Sequence, residues 1–179
     1  MHRQYLKKLL QNYQPTDLQE QMFKEKTVLF IDQNIDCFER TLKIGHITAS
    51  AWLQNKDDSK ALLLHHAKLN RWFQLGGHCD GDSNVLAVAI KEAQEESGIQ
   101  NIVAVSTEIF DLDIHEIPAN SREQAHDHYD VRFLLKVVGD EELMQNRESK
   151  ELRWIDKNIS ELPTDNPSVV RMFHKWISL

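Results

Sequence analysis

Lys91-Glu92-Ala93-Gln94-Glu95-Glu96-Ser97-Gly98-Ile99, set behind a glycine pair at Gly76-Gly77, is the stretch on which the reading of this chain turns. Positions three and four apart share a helical face, so Glu92 projects beside both Glu95 and Glu96 and concentrates negative charge there. Left uncompensated, that crowding destabilises a helix. Hard cations such as Mg²⁺ take oxygen ligands and keep several waters, leaving room for the phosphate oxygens of a substrate. The cluster therefore points to phosphate chemistry on a metal; for an isolated E-x-x-E-E a solvated acidic face is the plain alternative. The flanks favour the metal. Asp82, Ser83 and Asn84 are N-cap residues, Val85 to Ile90 is an apolar run, and Gly98 is placed to end the helix in a left-handed conformation.

With glycine, helix and glutamates in this register, the segment resembles the Nudix hydrolase signature, G-x5-E-x7-R-E-U-x-E-E-x-G-U, where U is a bulky apolar residue. Gly77, Glu92, Glu95, Glu96, Gly98 and Ile99 match, whereas Ser83 stands at the first glutamate, Lys91 at the arginine and Ala93 in an apolar slot. The resemblance covers about residues 42–178 and implies a Nudix-type α/β/α sandwich with a mixed sheet. It implies Glu95 and Glu96 as principal metal ligands, Glu92 as ligand, base or both, and the Gly77 carbonyl as a further ligand. Glu92 and Glu96 are the expected catalytic residues. For the slot at Ser83, Asp82 one residue earlier is a candidate substitute, or a serine cap suffices there. Lys91 keeps the charge of arginine but loses its planar fork.

The 179 residues, 41% of them hydrophobic, suit one domain with an appendage, and the net charge of −7 argues against a nucleic-acid polymer as partner. A small-molecule diphosphate remains compatible, its charge bridged by metal. Only Cys37 and Cys79 are present and no signal-like apolar N-terminus or membrane-length run occurs, so a cytoplasmic protein without a membrane partner is expected.

Residues 1–41 carry helical periodicity, with Tyr5, Leu6, Leu9 and Leu10 as one apolar cluster, Pro15 as a break, and Thr16 or Asp17 as the cap of a second helix from Leu18. This N-terminal helical extension is read as a packing element or a homodimer contact, with a substrate-covering role as a third option. Residues 42–179 form the catalytic domain. In it, Ile47, Ala49, Ala51 and Leu53 alternate with Thr48, Ser50 and Trp52, and a hairpin is expected with the strand from Ala61 to Leu64. Further strands are expected at 102–106, 108–115, 129–138 and 152–155, and an amphipathic helix at 168–177.

A second constellation follows from strand alternation. Asp111, Asp113 and His115 share one face of their strand, and His126, His128, Asp130 and Arg132 share a face of another. If these strands pair, histidines and aspartates converge, with His78 from the glycine loop, near the glutamate helix. His78, Asp111, Asp113, His115, His126, His128 and Asp130 are thus candidates for an additional metal or phosphate site; a hydrogen-bonded polar surface is the alternative. Histidine suits Mn²⁺, Zn²⁺ or another transition metal better than Mg²⁺. The His46 to Ala51 strand, H-I-T-A-S-A, together with H-x-H-Y-D-x-R-F, resembles one Nudix subgroup. For substrate, Trp72, Phe73 and Tyr129 are candidate stacking residues, and Arg71, Lys68, Arg122 and Arg132 candidate phosphate contacts, each weighed against core packing or ion pairing.

The resulting expectation is a metal-dependent Nudix pyrophosphohydrolase, using Mg²⁺, that cleaves a diphosphate linkage in a nucleoside diphosphate linked to another moiety. Two alternatives stand beside it: a non-catalytic nucleotide-sensing Nudix module, and an isopentenyl diphosphate isomerase-like enzyme, which requires a reactive cysteine such as Cys79.

Overall fold

A computed structural model describes residues 2–119, 124–147 and 149–179. Helices α1 (Gln4–Asn12) and α2 (Leu18–Gln33) precede strands β1 (Gly45–Gln54), β2 (Lys60–His66), β3 (Trp72–Phe73) and β4 (Leu75–His78). Helix α3 (Val85–Ser97), strands β5 (Ile102–Ala104), β6 (Asp111–Ile117), β7 (His126–Val137) and β8 (Ser149–Asp156), and helix α4 (Pro167–Ile177) complete the order.

The sheet is mixed. β1 and β7 run parallel from Gly45↔Asp127 to Gln54↔Lys136, and the other pairings are antiparallel. The expected hairpin forms only at its base, Leu53↔Leu62 and Gln54↔Ala61. Beyond it, β4 takes the same edge of β1, pairing Thr48↔His78 through Ala51↔Leu75. β1 is therefore buried along its whole length, which its small residues permit. Ala49 and Ala51 leave room for α3, whose Val85, Val88, Ala89 and Ala93 share their apolar cluster.

The opposite face is covered by α4. Val169, Met172, Phe173 and Trp176, spaced as one helical stripe, pack on Trp52, Leu63, Leu134 and Ile155. Asn166 caps this helix by accepting from Ser168 N–H at 3.0 Å.

The N-terminal helices belong to the main core. Asp17 accepts from Glu20 N–H at 2.8 Å and starts α2, and Leu6, Leu9, Leu10, Phe23, Phe30 and Ile31 join the cluster that holds Ile47 and Val131. Phe30 stacks on Tyr129 with ring centroids 4.0 Å apart. Among the described residues, no helix is long and apolar enough to cross a membrane.

Candidate active site and histidine cluster

Glycines at 76 and 77 let α3 lie against β4. Gly76 has φ +155°, and a Cβ there would come within 2.7 Å of the Ser50 Cα, so only glycine fits. Its N–H donates to the Glu96 carboxylate at 2.8 Å. At Gly77 an added Cβ would meet the Glu92 carboxylate, 2.6 Å from its Cδ. Glu92 and Glu96, one helical turn apart, thus both reach the glycine pair, while Glu95 stays exposed on the adjoining surface. Lys91 Nζ lies 3.6 Å from both Glu92 and Glu95, partly offsetting their repulsion. Asn84 caps α3 by accepting from Ala87 N–H at 3.2 Å, and Gly98 closes it at φ +80°. Asp82, the candidate for the missing glutamate, accepts from Asn84 N–H at 2.8 Å in the turn before the helix. The donor set is one of hard carboxylate oxygens, which suits Mg²⁺.

Strands β6 and β7 pair in the register that alternation anticipates: Asp111↔Arg132, Asp113↔Asp130, His115↔His128 and Ile117↔His126. The histidines and aspartates lie toward opposite ends of this face and are joined where His115 Nδ1 meets the Asp113 carboxylate at 3.1 Å. At one end the rings of His78, His115 and His126 lie 5.1, 5.4 and 5.2 Å from that of His128. His46 joins them, 4.7 Å from His128 and 5.0 Å from His78. Period-two spacing from Thr48 and Ser50 puts His46 on this face, a signal the sequence reading used for other strands and did not extend to it. Burial, reinforced by the neighbouring imidazoles, lowers His46 from 6.5 to about 4 and His128 to about 2, so both are neutral at pH 7.

These histidines do not converge with the glutamates. Gly77 presents the side that Glu92 covers, and His78, one residue on, points to the other side, where His46 and His128 lie.

The aspartates do not complete a metal site, because cations of the chain itself occupy them. Arg132 lies 3.0 Å from Asp111, 3.2 Å from Asp113 and 2.7 Å from Asp130. Arg171 of α4 adds contacts of 2.9 and 3.0 Å to Asp111 and Asp113, and Lys175 lies 2.8 Å from Asp111. Glu20 of α2 pairs with Arg171 and Lys175. Asp130 also accepts from Thr48, Ser50 and Gln74. Burial alone would raise the carboxyls of Asp111 and Asp113; the surrounding cations hold both below the ordinary carboxylate range.

The NUDIX domain model matches residues 45–176. The chain belongs to the NUDIX domain family. No curated protein matches the sequence. Similar solved structures include a C. elegans Ap4A hydrolase binary complex (TM-score 0.59, 16% identity, 74% of this chain and 95% of that chain covered). A MutT protein from Methanosarcina mazei Go1 gives TM-score 0.58 and 20% identity, covering 75% and 94% of the two chains. The E. coli dihydroneopterin triphosphate pyrophosphohydrolase gives 0.56 and 13%, covering 74% and 94%. At these identities the likeness establishes a shared fold.

Within the Nudix fold the substrate-contact candidates scatter. Arg132 is corrected: with 1% of its side chain exposed, it is an internal counter-ion and cannot reach a phosphate. Tyr129 already stacks on Phe30. Trp72 stacks on His65 at 4.9 Å, with the Arg153 guanidinium 4.6 Å from its ring centroid. Arg71 and Lys68 are exposed around the β2–β3 turn, and Arg122 lies outside the described residues. Cys79 is 4% exposed, and burial pushes its thiol far above the ordinary range. Burial of this kind disfavours the reactive thiolate that an isomerase-like reaction calls for.

Proposed function

We propose that this Nudix protein is a metal-dependent pyrophosphohydrolase that cleaves the diphosphate linkage of a nucleoside diphosphate joined to another moiety. The observation that carries the reading is the joint between α3 and β4, where Glu96 is tied to the Gly76 N–H at 2.8 Å and Glu92 packs on Gly77. It holds two carboxylates one turn apart against a backbone able to approach them closely. Glu92, Glu95 and Glu96, with the Gly77 carbonyl, are the groups that would hold Mg²⁺ or Mn²⁺. When bound, the ion neutralises phosphate charge and increases the acidity of water. In this reading Glu92 serves as ligand, as base for the attacking water, or as both, and Glu96, anchored by its hydrogen bond, keeps the acidic face in position. Lys91 offers a cation beside the same face. The names of the similar structures, an Ap4A hydrolase and a dihydroneopterin triphosphate pyrophosphohydrolase, support a small phosphoanhydride substrate. The two buried, unbridged cysteines support a cytoplasmic setting.

The test is hydrolysis by purified protein across nucleoside diphosphate sugars, dinucleotides and nucleoside triphosphates with Mg²⁺ and Mn²⁺. Turnover of a member of the first two groups is expected, and Glu96→Gln should lower kcat by roughly 100-fold or more at saturating Mg²⁺. Unchanged hydrolysis in that variant defeats the site assignment. Tight binding without turnover by the wild type would instead make the protein a sensor.

A further inference from the structure

We propose that His46, His78 and His128 bind one transition-metal ion of the Zn²⁺ class, at a site separate from the α3 glutamates. The three residues come from β1, β4 and β7, and register brings them together: Thr48↔His78 on one edge of β1 and His46↔His128 on the other. Each offers a ring nitrogen, and the three ligand atoms lie within 4.8 Å of one another.

The observation that asks for a ligand is His46. It is 2% exposed, and neither of its ring nitrogens makes a hydrogen bond of regular geometry, the Leu42 carbonyl being a backbone group that interacts with the ring. The Nε2 of His128 is likewise buried and unpartnered. A buried ring nitrogen left without a partner is costly, and a neutral imidazole whose N–H meets a carbonyl still presents a bare nitrogen that needs an N–H or a cation. A cation accepting a lone pair from each ring satisfies that bare nitrogen in all three residues. The same face shows how this chain deals with buried polar groups elsewhere: it supplies partners, as at Arg132. Around His46 the side chains it supplies are further imidazoles.

Imidazole nitrogens select Zn²⁺, Ni²⁺, Cu²⁺, Fe²⁺ or Co²⁺ over Mg²⁺, so the two donor sets of this protein sort ions by hardness. Three nitrogens leave a position open for water or a fourth side chain. His126 stands beside the triad, its ring 5.1 Å from that of His46, and its Nδ1 meets the Gln124 carbonyl at 2.8 Å. That contact favours the tautomer with Nε2 free to ligate, the outer-shell pattern of metal-bound histidine. Because His78 and Gly77 face opposite sides of β4, this ion and one held by the glutamates would lie back to back across the strand. The inference does not depend on the hydrolase reading.

The experiment uses untagged, full-length protein stripped of metal and titrated with Zn²⁺ and with Co²⁺. One equivalent should bind with sub-micromolar affinity, and Co²⁺ should show the intense visible bands of low-coordinate nitrogen ligation. His46→Gln should weaken binding by more than the roughly 100-fold that loss of an outer-shell partner costs, with its circular dichroism retained. A variant carrying Glu92→Gln, Glu95→Gln and Glu96→Gln together should still bind. X-ray absorption on the Zn²⁺-loaded wild type counts ligands whether or not His46→Gln folds, and three or more imidazoles are expected. Millimolar affinity, an all-oxygen shell, or loss of binding in the triple glutamate variant overturns the proposal.

Discussion

Around Arg132, at one end of the polar sheet face, Asp111, Asp113 and Asp130 meet guanidinium and ammonium groups brought by β7 and α4. Around His46, at the other end, the imidazoles pack mainly on one another, and His115 alone of the described cluster reaches an aspartate, Asp113 at 3.1 Å. The first region is electrostatically closed and the second is open. Residue types alone would have grouped them, since β6 and β7 together carry His, Asp and Arg at alternating positions of one face. What separates them is whether the chain provides the counter-charge, and that tells a structural ion cluster from a candidate ligand site.

Replacing Arg132 should have the largest effect. Arg132→Met leaves three buried carboxylates short of their central cation, and a loss of about 3–5 kcal/mol in urea unfolding is expected. A loss under 1 kcal/mol would mean that Arg171 and Lys175 suffice and that the region is less closed than drawn.

Acid titration should divide the two ends. His46 and His128 have folded values below the unfolded 6.5, at about 4 and about 2. The unfolded chain therefore binds more protons as pH falls below 6.5, and metal-free protein should lose stability progressively from there toward pH 4, by up to about 3 kcal/mol from His46 alone. Asp111 and Asp113 are depressed below the ordinary 3.8, so their stabilisation is fully present above that value and lost only below it. Unfolding midpoints measured against pH should thus begin to drop near 6.5. A flat profile down to pH 4.5 would show that the histidines are solvated.

Glu20→Gln tests whether the closed end extends into α2. Glu20 is fully buried and pairs with Arg171 and Lys175. Removing its charge should cost about 2 kcal/mol, again by urea unfolding, since hydrogen bonds to charged groups carry roughly that much. No change would detach α2 from the network. Ser168→Ala should do least. Its Oγ accepts from Arg132 at 3.3 Å, but Arg132 keeps its aspartates, so a shift of about 0.5–1 kcal/mol is expected. A larger loss would mark Arg132 as dependent on α4 for its position.

Much of this molecule was legible before its structure. Three cap candidates at Asp82, Ser83 and Asn84, the stop at Gly98 and the intervening apolar run place α3 in sequence, because each rests on local backbone chemistry, and the structure selects Asn84 as the cap. The pairing of Asp113 with Asp130 and His115 with His128 follows from two period-two patterns in register. The fate of Arg132 was not legible. Its counter-ions include residues held beside Arg171 and Lys175, which lie on a helix 39 and more positions later and arrive only when α4 packs. The hairpin from β1 to β2 was overestimated for a related reason: local alternation marks strands but does not say that β4 will compete for the same edge.

By itself, then, the amino-acid order determined which residues share a helix or strand face, and with that the acidic ridge of α3 and the alternation that makes a histidine stripe. Tertiary packing decided which of those groups are neutralised from within and which are left facing one another. The physical reason is reach: caps, turns and periodicity act over a few residues, whereas the energy of a buried charge or imidazole depends on groups that only chain folding brings to its side.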